Sequence, residues 1–309
     1  MSGLVVGVDG GGSKTRAVVA DDAGEALGEF TAPASALRSG DVELSASVIA
    51  DAVRGALAAA GHGDEMPRSV CAGISGVGRE PDRLRVEQAL SRLGIADAVA
   101  VDTDFSIALD DAFRDGPGVL LVAGTGSVAY GRSPTGSTAR CGGWGPICGD
   151  EGSGAWIGRR ALSIVTAAAD GREPETALTG ALLTTLQLDE TMDLIGWAAQ
   201  ASTTELASLA QVVVTVANGG DLRANALVAL AVEELVLHVR SLARQLFVDE
   251  RAAVPVALSG GLMKRGSMLR KRLEHRLKSL VPGAEVRSDP VDAARGAVRR
   301  ALLLVAAAR

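Results

Sequence analysis

The chain has 309 residues, 47% of them apolar and 3% aromatic, and its formal net charge at pH 7 is −6. This length favours two domains, and no apolar run reaches the roughly 18 residues of a membrane span. The N-terminus lacks the basic and apolar regions of a secretory signal, so we expect a soluble, cytoplasmic protein. Three cysteines without a CxxC pair predict neither a disulfide framework nor a structural zinc site.

Basic residues are concentrated in two patches, Lys264 to Lys278 and Arg295 to Arg300. Both have helical apolar spacing, and we interpret them as solvated helix faces rather than nucleic-acid sites. The low aromatic content also disfavours binding of single strands. The sequence therefore predicts no nucleic-acid or membrane partner.

The first part of the chain alternates strand and helix signals. In chain order we predict strands at 4–8, 16–20 and 25–30, a helix at 42–60, a strand at 69–74, a helix at 81–93, a strand at 98–101 and a helix at 105–113. A seven-residue glycine-rich turn joins the first two strands, and connections of this kind are often functional.

A second strand–turn–strand series begins near residue 119. Strands at 119–123 and 128–131 flank a Gly/Thr/Ser turn, which repeats the pattern of residues 4–20 and predicts two similar halves facing each other across a cleft. Helices dominate 154–247, a strand follows at 254–258, and a last helix spans 291–307. We expect domains at 1–112 and 113–309, and packing of the last helix on the first domain stays open.

The first turn has the composition of a phosphate-binding loop. Glycines let the backbone approach a ligand, and inward-pointing N–H groups suit phosphate oxygens. Asp9 is a candidate ligand for hydrated Mg²⁺. The turn matches neither a Walker A nor a Rossmann motif, and a purely structural turn is the alternative. The predicted phosphate-binding residues are Gly10, Gly11, Gly12, Ser13, Lys14 and Thr15.

Two further loops at strand ends fit a nucleotide. The second turn would bind phosphates like the first, through Gly124, Thr125, Gly126 and Ser127. The third loop would let an adenosine lie against the backbone, through Ser259, Gly260 and Gly261. Each motif is weak alone, and their order and spacing together strengthen the prediction.

With these motifs the sequence resembles the BadF/BadG/BcrA/BcrD ATPase family, which belongs to the superfamily of actin, Hsp70 and sugar kinases. Within this family it resembles the N-acetylglucosamine and glucosamine kinases. The resemblance covers essentially the whole chain and is thin from about 160 to 250. The matching segments are Asp9–Thr15, Cys71–Gly76, Val101–Asp104, Gly124–Ser127 and, most specifically, Cys141–Ser153.

The resemblance implies an α/β fold of two actin-like (ribonuclease H-like) domains with mixed β-sheets and an interdomain cleft, closing over ATP, Mg²⁺ and a sugar. It also implies an aspartate at a strand end that accepts the sugar hydroxyl proton. Asp102 and Asp104 are both candidates, and the spacing favours Asp104. Either would also suit an N-cap of the following helix.

The segment Cys141–Ser153 matches the sugar-binding segment of the family. A tight interdomain corner, with a helix N-cap at Asp150 or Ser153, is the structural alternative. A disulfide between Cys141 and Cys148 is not expected in a cytosolic protein. The sugar-binding residues implied are Ser75, Asp104, Thr125, Gly126, Gly143, Trp144, Asp150 and Glu151.

One position departs from the family pattern, because Ser35 stands where related kinases often carry an asparagine. This departure weakens the case for an N-acetylated substrate and leaves free glucosamine or another hexose open. We expect an ATP-dependent kinase of N-acetylglucosamine or glucosamine, acting at the 6-hydroxyl, and a homodimer. The alternatives are a BadF-type ATPase that activates a partner enzyme, and a catalytically silent sugar or nucleotide sensor.

Overall fold

The computed structural model describes residues 3–37, 41–249 and 253–307. The chain divides into two compact units, of which the first takes Met1–Asp115 and Pro290–Arg309 and the second takes Gly116–Asp289. Each unit is built on one five-stranded sheet. No helix in the described ranges is long and apolar enough to cross a membrane.

The sheet of the first unit has the order β3-β2-β1-β4-β5. Strand β1 runs antiparallel to β2 and parallel to β4, so the sheet is mixed. The elements are β1 (Val5–Gly10), β2 (Thr15–Ala20), β3 (Ala26–Ala32), α1 (Val42–Ala59), β4 (Ser69–Ile74), α2 (Glu80–Arg92), β5 (Ala98–Thr103) and α3 (Asp104–Phe113).

The last helix, α11 (Ala293–Ala307), belongs to the first unit and packs on β1 and α3. The contact is made backbone to backbone. A Cβ at Gly7 would lie 2.3 Å from the Val298 nitrogen, and one at Gly296 would lie 1.9 Å from the Ile107 oxygen. Glycine is required at both positions, because a side chain at Gly7 would push α11 away from β1 and one at Gly296 would push it away from α3. The expected C-terminal domain, 113–309, therefore differs from the second unit in this last segment.

The second unit repeats the topology of the first, with the sheet order β8-β7-β6-β9-β10. Its strands are β6 (Gly118–Ala123), β7 (Ser127–Arg132), β8 (Thr138–Gly142), β9 (Val254–Ser259) and β10 (Ala284–Val286). Its helices are α4 (Gly145–Cys148), α5 (Gly154–Ala169), α6 (Leu178–Leu186), α7 (Leu194–Gln200), α8 (Thr203–Asn218), α9 (Leu222–Leu246) and α10 (Met268–Leu280), with short 3-10 turns at Thr191–Asp193 and Gly261–Met263.

The strands and helices predicted from the sequence are present, and the repeated strand–turn–strand pattern corresponds to the repeated sheet order. Two strands were missed, β8 and β10. Both lie at sheet edges and are short, with five and three residues. Neither carries the apolar run by which the other strands were recognised.

Candidate active site

The glycine-rich turn between β1 and β2 comprises residues 11–14 and is closed by a hydrogen bond from the Gly11 N–H to the Lys14 carbonyl oxygen, at 3.0 Å. Ser13 and Lys14 are exposed at its tip. The N–H of Ala36 donates to the Gly11 oxygen at 3.2 Å and ties the turn to the segment after β3. The turn is therefore held in place while its tip stays open to a ligand.

Thr15 faces inward, unlike Ser13 and Lys14 of the same predicted loop. It is fully buried, and its hydroxyl lies 2.7 Å from both the Pro33 carbonyl oxygen and the Ser35 hydroxyl. Ser35 is also buried and would lie 2.6 Å from a Cβ at Gly10. Thr15 and Ser35 thus support the turn from beneath.

Two carboxyl groups interact at the ends of β1 and β5. The pKa of Asp9 is raised from 3.8 to about 6, first by burial and then by the negative charges of Asp104 and Asp292. Burial also raises the pKa of Asp104, while hydrogen bonds from the Phe105 N–H and the Ser75 hydroxyl oppose this shift. Ser75 is itself held by a 2.9 Å bond from its N–H to the Gly10 oxygen.

Asp102 and Asp104 have different surroundings although one residue separates them. Asp102 forms an ion pair with Arg300 of α11, whose guanidinium also contacts Asp110 and donates to Ser106. The N-cap of α3 is Thr103, which accepts the Ser106 N–H at 3.2 Å. Neither aspartate is therefore needed as the N-cap of α3, and the charge of Asp102 is already paired with that of Arg300.

Sequence reasoning missed Asp292, the residue just before α11. Its carboxylate accepts two hydrogen bonds from Arg16, at 2.8 and 2.9 Å, and Arg16 also binds Glu29. The carboxylate caps its own helix through the Arg295 N–H at 3.2 Å. The capping signal was readable from the sequence, but the pairing with a strand nearly 280 residues away was not.

The turn between β6 and β7 is closed by a 2.9 Å bond from the Gly124 N–H to the Gly126 oxygen. The first N–H groups of α5 donate to the carbonyl oxygens of Gly124 and Thr125, at 2.8 and 3.2 Å. Ser127 is buried, and its hydroxyl donates to the Glu151 carbonyl oxygen at 2.7 Å. Ser127 thus supports the turn between β6 and β7, as Thr15 supports the turn between β1 and β2 in the first unit.

The adenosine candidates adjoin this turn. Ser259 pairs with Val122 in the parallel β6–β9 ladder, and a Cβ at Gly124 would lie 3.6 Å from the Gly261 nitrogen. Gly260 has φ +96° and packs on the backbone of Ala123, so only glycine fits there. Space around Gly261 is open, since a Cβ there would meet nothing within 4 Å.

Asp150 and Glu151 have different contacts in the second unit. Asp150 is buried, and its carboxylate oxygen would lie 2.8 Å from a Cβ at Gly126. Burial raises its pKa, against hydrogen bonds from the backbone N–H groups of Ser127 and Gly145. The Glu151 carboxylate turns instead toward His238 of α9, at 3.8 Å. The helix N-cap is Ser153, so Asp150 does not serve as the cap.

The remaining sugar-segment residues lie near the surface of the second unit. Gly143 has φ +70°, and its N–H donates to the Ser127 oxygen at 2.9 Å. Trp144 is 69% exposed, and the Arg140 guanidinium carbon lies over its ring, 5.1 Å from the ring centroid. The three cysteines are free thiols, with Cys71 buried and Cys148 exposed.

A sequence model of the BadF/BadG/BcrA/BcrD ATPase family matches residues 6–303. The chain belongs to this family, because the match spans nearly its whole length. The two five-stranded mixed sheets have the α/β architecture of actin-like ATPases and sugar kinases, as the sequence predicted.

Full-length relatives are named as sugar kinases. The chain is 31% identical to the N-acetyl-D-glucosamine kinase of Dictyostelium discoideum, covering 97% of this chain and 98% of the relative. It is 32% identical to the N-acetylmuramic acid/N-acetylglucosamine kinase of Clostridium acetobutylicum, covering 95% and 96%. It is also similar to the crystal structure of a candidate N-acetylglucosamine kinase from Chromobacterium violaceum, with 31% identity, a TM-score of 0.81 and coverage of 98% and 99%.

Proposed function

We propose that this protein is an ATP-dependent kinase of N-acetylglucosamine or glucosamine, transferring the γ-phosphate of ATP to the 6-hydroxyl. The observation that carries the proposal is the half-buried Asp104 carboxyl beside Asp9, close to the glycine-rich turn, in a chain whose full-length relatives are named amino sugar kinases. Asp104 combines two features of a general base, because its proton affinity is raised and Ser75 orients it.

The nucleotide is assigned to the loops at the strand ends. Backbone N–H groups of the two turns would bind phosphate oxygens, together with Ser13, Lys14 and Thr125. Thr15 and Ser127 would hold the turns without touching ATP, since both are buried and their hydroxyls bond to protein oxygens. Adenosine would lie on Gly260 and Gly261, next to Ser259, where the backbone is exposed.

The carboxylate pair fits a hydrated Mg²⁺ ion. The described residues contain no group of three or more His, Cys, Asp or Glu side chains placed to hold a metal. Mg²⁺ needs no such cage, because it keeps several waters and takes one or two carboxylates with substrate phosphates. Asp9 carries the excess negative charge that such a cation would balance, and the ion would neutralise charge on the transferred phosphate.

Catalysis is assigned to Asp104. Its carboxylate would accept the proton of the attacking sugar hydroxyl, while Asp102 stays paired with Arg300 and holds the start of α3. Ser75, Thr125, Gly126, Gly143 and Asp150 would orient the sugar ring, with Trp144 and Glu151 at its periphery. Most of the rate enhancement would come from positioning and charge neutralisation.

The buried Ser35 bears on substrate choice. Its hydroxyl is engaged with Thr15, and it supplies no amide to an acetyl group. Both N-acetylglucosamine and free glucosamine therefore belong in the test panel. We further propose a homodimer located in the cytoplasm, where ATP is available.

A coupled assay of ADP release tests the proposal across glucosamine, N-acetylglucosamine, N-acetylmannosamine, muramic-type sugars and glucose. Sugar-dependent ADP release should be greatest with one of the first two. Sugar-independent ATP hydrolysis would favour an ATPase that activates a partner. Nucleotide binding without ADP release would favour a silent sensor.

A further inference from the structure

Asp9 and Arg16 face each other across the β1–β2 hairpin. They are direct partners in the antiparallel register. The side chains of such partners lie on the same face of the sheet, with Cβ atoms about 4.5–5.5 Å apart. An arginine opposite a carboxylate readily forms a bidentate ion pair with it. Such a pair would occupy the Asp9 oxygens that the proposed Mg²⁺ ion needs.

The Arg16 guanidinium is instead directed to two other carboxylates. Its Nη1 donates to both oxygens of Asp292, at 2.8 and 2.9 Å. Its Nε and Nη2 donate to one oxygen of Glu29, at 3.0 and 2.7 Å. A guanidinium has five N–H groups. Four of them are therefore taken up by carboxylates other than Asp9.

Asp292 is held firmly at the start of α11. Its N–H donates to the buried Asp111 carboxylate at 2.7 Å, and its own carboxylate accepts the Arg295 N–H at 3.2 Å. The Arg295 guanidinium binds the same Asp111, at 2.6 and 2.8 Å. By contrast, Glu29 lies on the edge strand β3, and its side chain is 63% exposed. Asp292 is thus the more rigid of the two anchors of Arg16.

Both members of the Arg16–Asp292 pair lie within electrostatic reach of Asp9. Burial raises the pKa of Asp9 most, and the charges of Asp104 and Asp292 raise it further. The charge of Arg16 lowers the same pKa. The pair is partly buried, so solvent and salt screen it less than they screen a surface pair. A shift of the guanidinium toward β1 would therefore change the field at the Asp9 carboxylate.

We propose that Asp292 is a positioning residue that holds Arg16 away from Asp9 and so keeps Asp9 available to the cation. The inference rests on the proposed function, because it takes Asp9 as the carboxylate that binds Mg²⁺. Without the Asp292 carboxylate, the released guanidinium pairs with Asp9 and competes with the ion. Glu29 alone does not prevent this, since it engages Nε and Nη2 and leaves Nη1 able to turn toward β1.

Binding of Mn²⁺ to the full, nucleotide-free chain tests the inference without any sugar, through the electron paramagnetic resonance signal of the unbound ion. Mn²⁺ is the probe because it takes the same oxygen ligands as Mg²⁺. Asp292→Ser should raise the dissociation constant at least about tenfold, equivalent to roughly 1.4 kcal/mol. Serine keeps a capping hydroxyl for α11, so the fold should persist. Arg16→Gln should bind Mn²⁺ at least as tightly as wild type, because no cation then faces Asp9.

The double variant Arg16→Gln/Asp292→Ser separates positioning from a direct role of Asp292. If Asp292 acts by holding Arg16, its replacement should weaken Mn²⁺ binding by less than about threefold once Arg16 is gone, since coupled residues are not additive. Asp51→Ser is the control. It removes one negative charge from another arginine pair of the first unit and should leave Mn²⁺ binding unchanged.

Steady-state kinetics with the best sugar of the panel supply a second readout. Asp292→Ser should raise the apparent KM for Mg²⁺, while kcat at saturating Mg²⁺ stays within about threefold of wild type. A merely structural defect would lower kcat at every Mg²⁺ concentration. Unchanged Mn²⁺ binding in Asp292→Ser, or equal weakening with and without Arg16, would overturn the inference. Neither result bears on the proposed kinase activity, which fails if wild type shows no sugar-dependent ADP release.

Discussion

Arg300, near the end of the last helix, forms an ion pair with Asp102 at the end of β5. The same guanidinium contacts Asp110 and donates to Ser106 at 3.0 Å, so it joins α11 to successive turns of α3. Asp104 begins this helix. The ion pair therefore gives the two neighbouring aspartates different surroundings, which supports the proposal that Asp104 rather than Asp102 is the base.

We expect Arg300→Met to lower the free energy of unfolding by about 2–4 kcal/mol, because it leaves partly buried carboxylates without their partner. Asp102→Asn should lower it by about 1–2 kcal/mol and keep most activity. Urea denaturation with a parallel activity assay measures both. Asp97→Asn, at an exposed position just before β5, should change stability by less than about 0.5 kcal/mol. An inactive but stable Asp102→Asn would assign the base to Asp102.

Asp9→Asn should stabilise the ligand-free protein above about pH 6. The pKa of Asp9 is raised from 3.8 to about 6 by burial and neighbouring carboxylates. The folded state binds this proton more tightly than the unfolded state, so its contribution to stability falls as pH rises from about 4 to 6. At about 1.36 kcal/mol per pKa unit, the variant should gain on the order of 2 kcal/mol at neutral pH.

Urea denaturation at about pH 5 and about pH 7.5 measures this difference, which should shrink at the lower pH. Asp51→Asn is the control, because Asp51 is exposed on α1 and should show no gain at either pH. Equal stability of wild type and Asp9→Asn at the higher pH would contradict the electrostatic account of this site.

Gly261→Ala should separate nucleotide binding from folding. A Cβ at this position meets no atom within 4 Å, so the free energy of unfolding should change by less than about 0.5 kcal/mol. The methyl group would occupy the space assigned to adenosine, and KM for ATP should rise about tenfold or more, equivalent to roughly 1.4 kcal/mol. Gly180→Ala, equally open but on α6, should leave KM unchanged. An unchanged KM for ATP in Gly261→Ala would contradict the assignment of adenosine to this loop.

Local signals in the sequence were sufficient for most of the fold and for the loops of the candidate site. Apolar runs marked the buried strands, and consecutive glycines at strand ends marked both turns. The edge strands β8 and β10 escaped because short, partly exposed strands carry little apolar pattern. The arginines of 295–300 were interpreted as a solvated face, which was wrong, since Arg295, Arg299 and Arg300 pair with aspartates of the first unit.

The direction of side chains could not be predicted from spacing alone. Sequence placed Thr15 among the phosphate ligands, whereas its hydroxyl points inward to Ser35. Asp150 and Glu151 looked equivalent, but the Asp150 carboxylate lies against Gly126, whereas that of Glu151 lies 3.8 Å from His238. Pairings such as Arg16 with Asp292 depend on α11 returning to the first unit, and no local pattern reports that.

The proposed function depends most on Asp104 accepting the proton of the attacking sugar hydroxyl during phosphorylation. Phosphorus NMR of the product, made by wild type, Asp104→Asn and Asp102→Asn from ATP and N-acetylglucosamine or glucosamine, tests it most directly. Wild type and Asp102→Asn should form the sugar 6-phosphate, while Asp104→Asn should be slower by about 10²–10⁴-fold and still bind ATP. Rapid formation of the same product by Asp104→Asn would contradict the account.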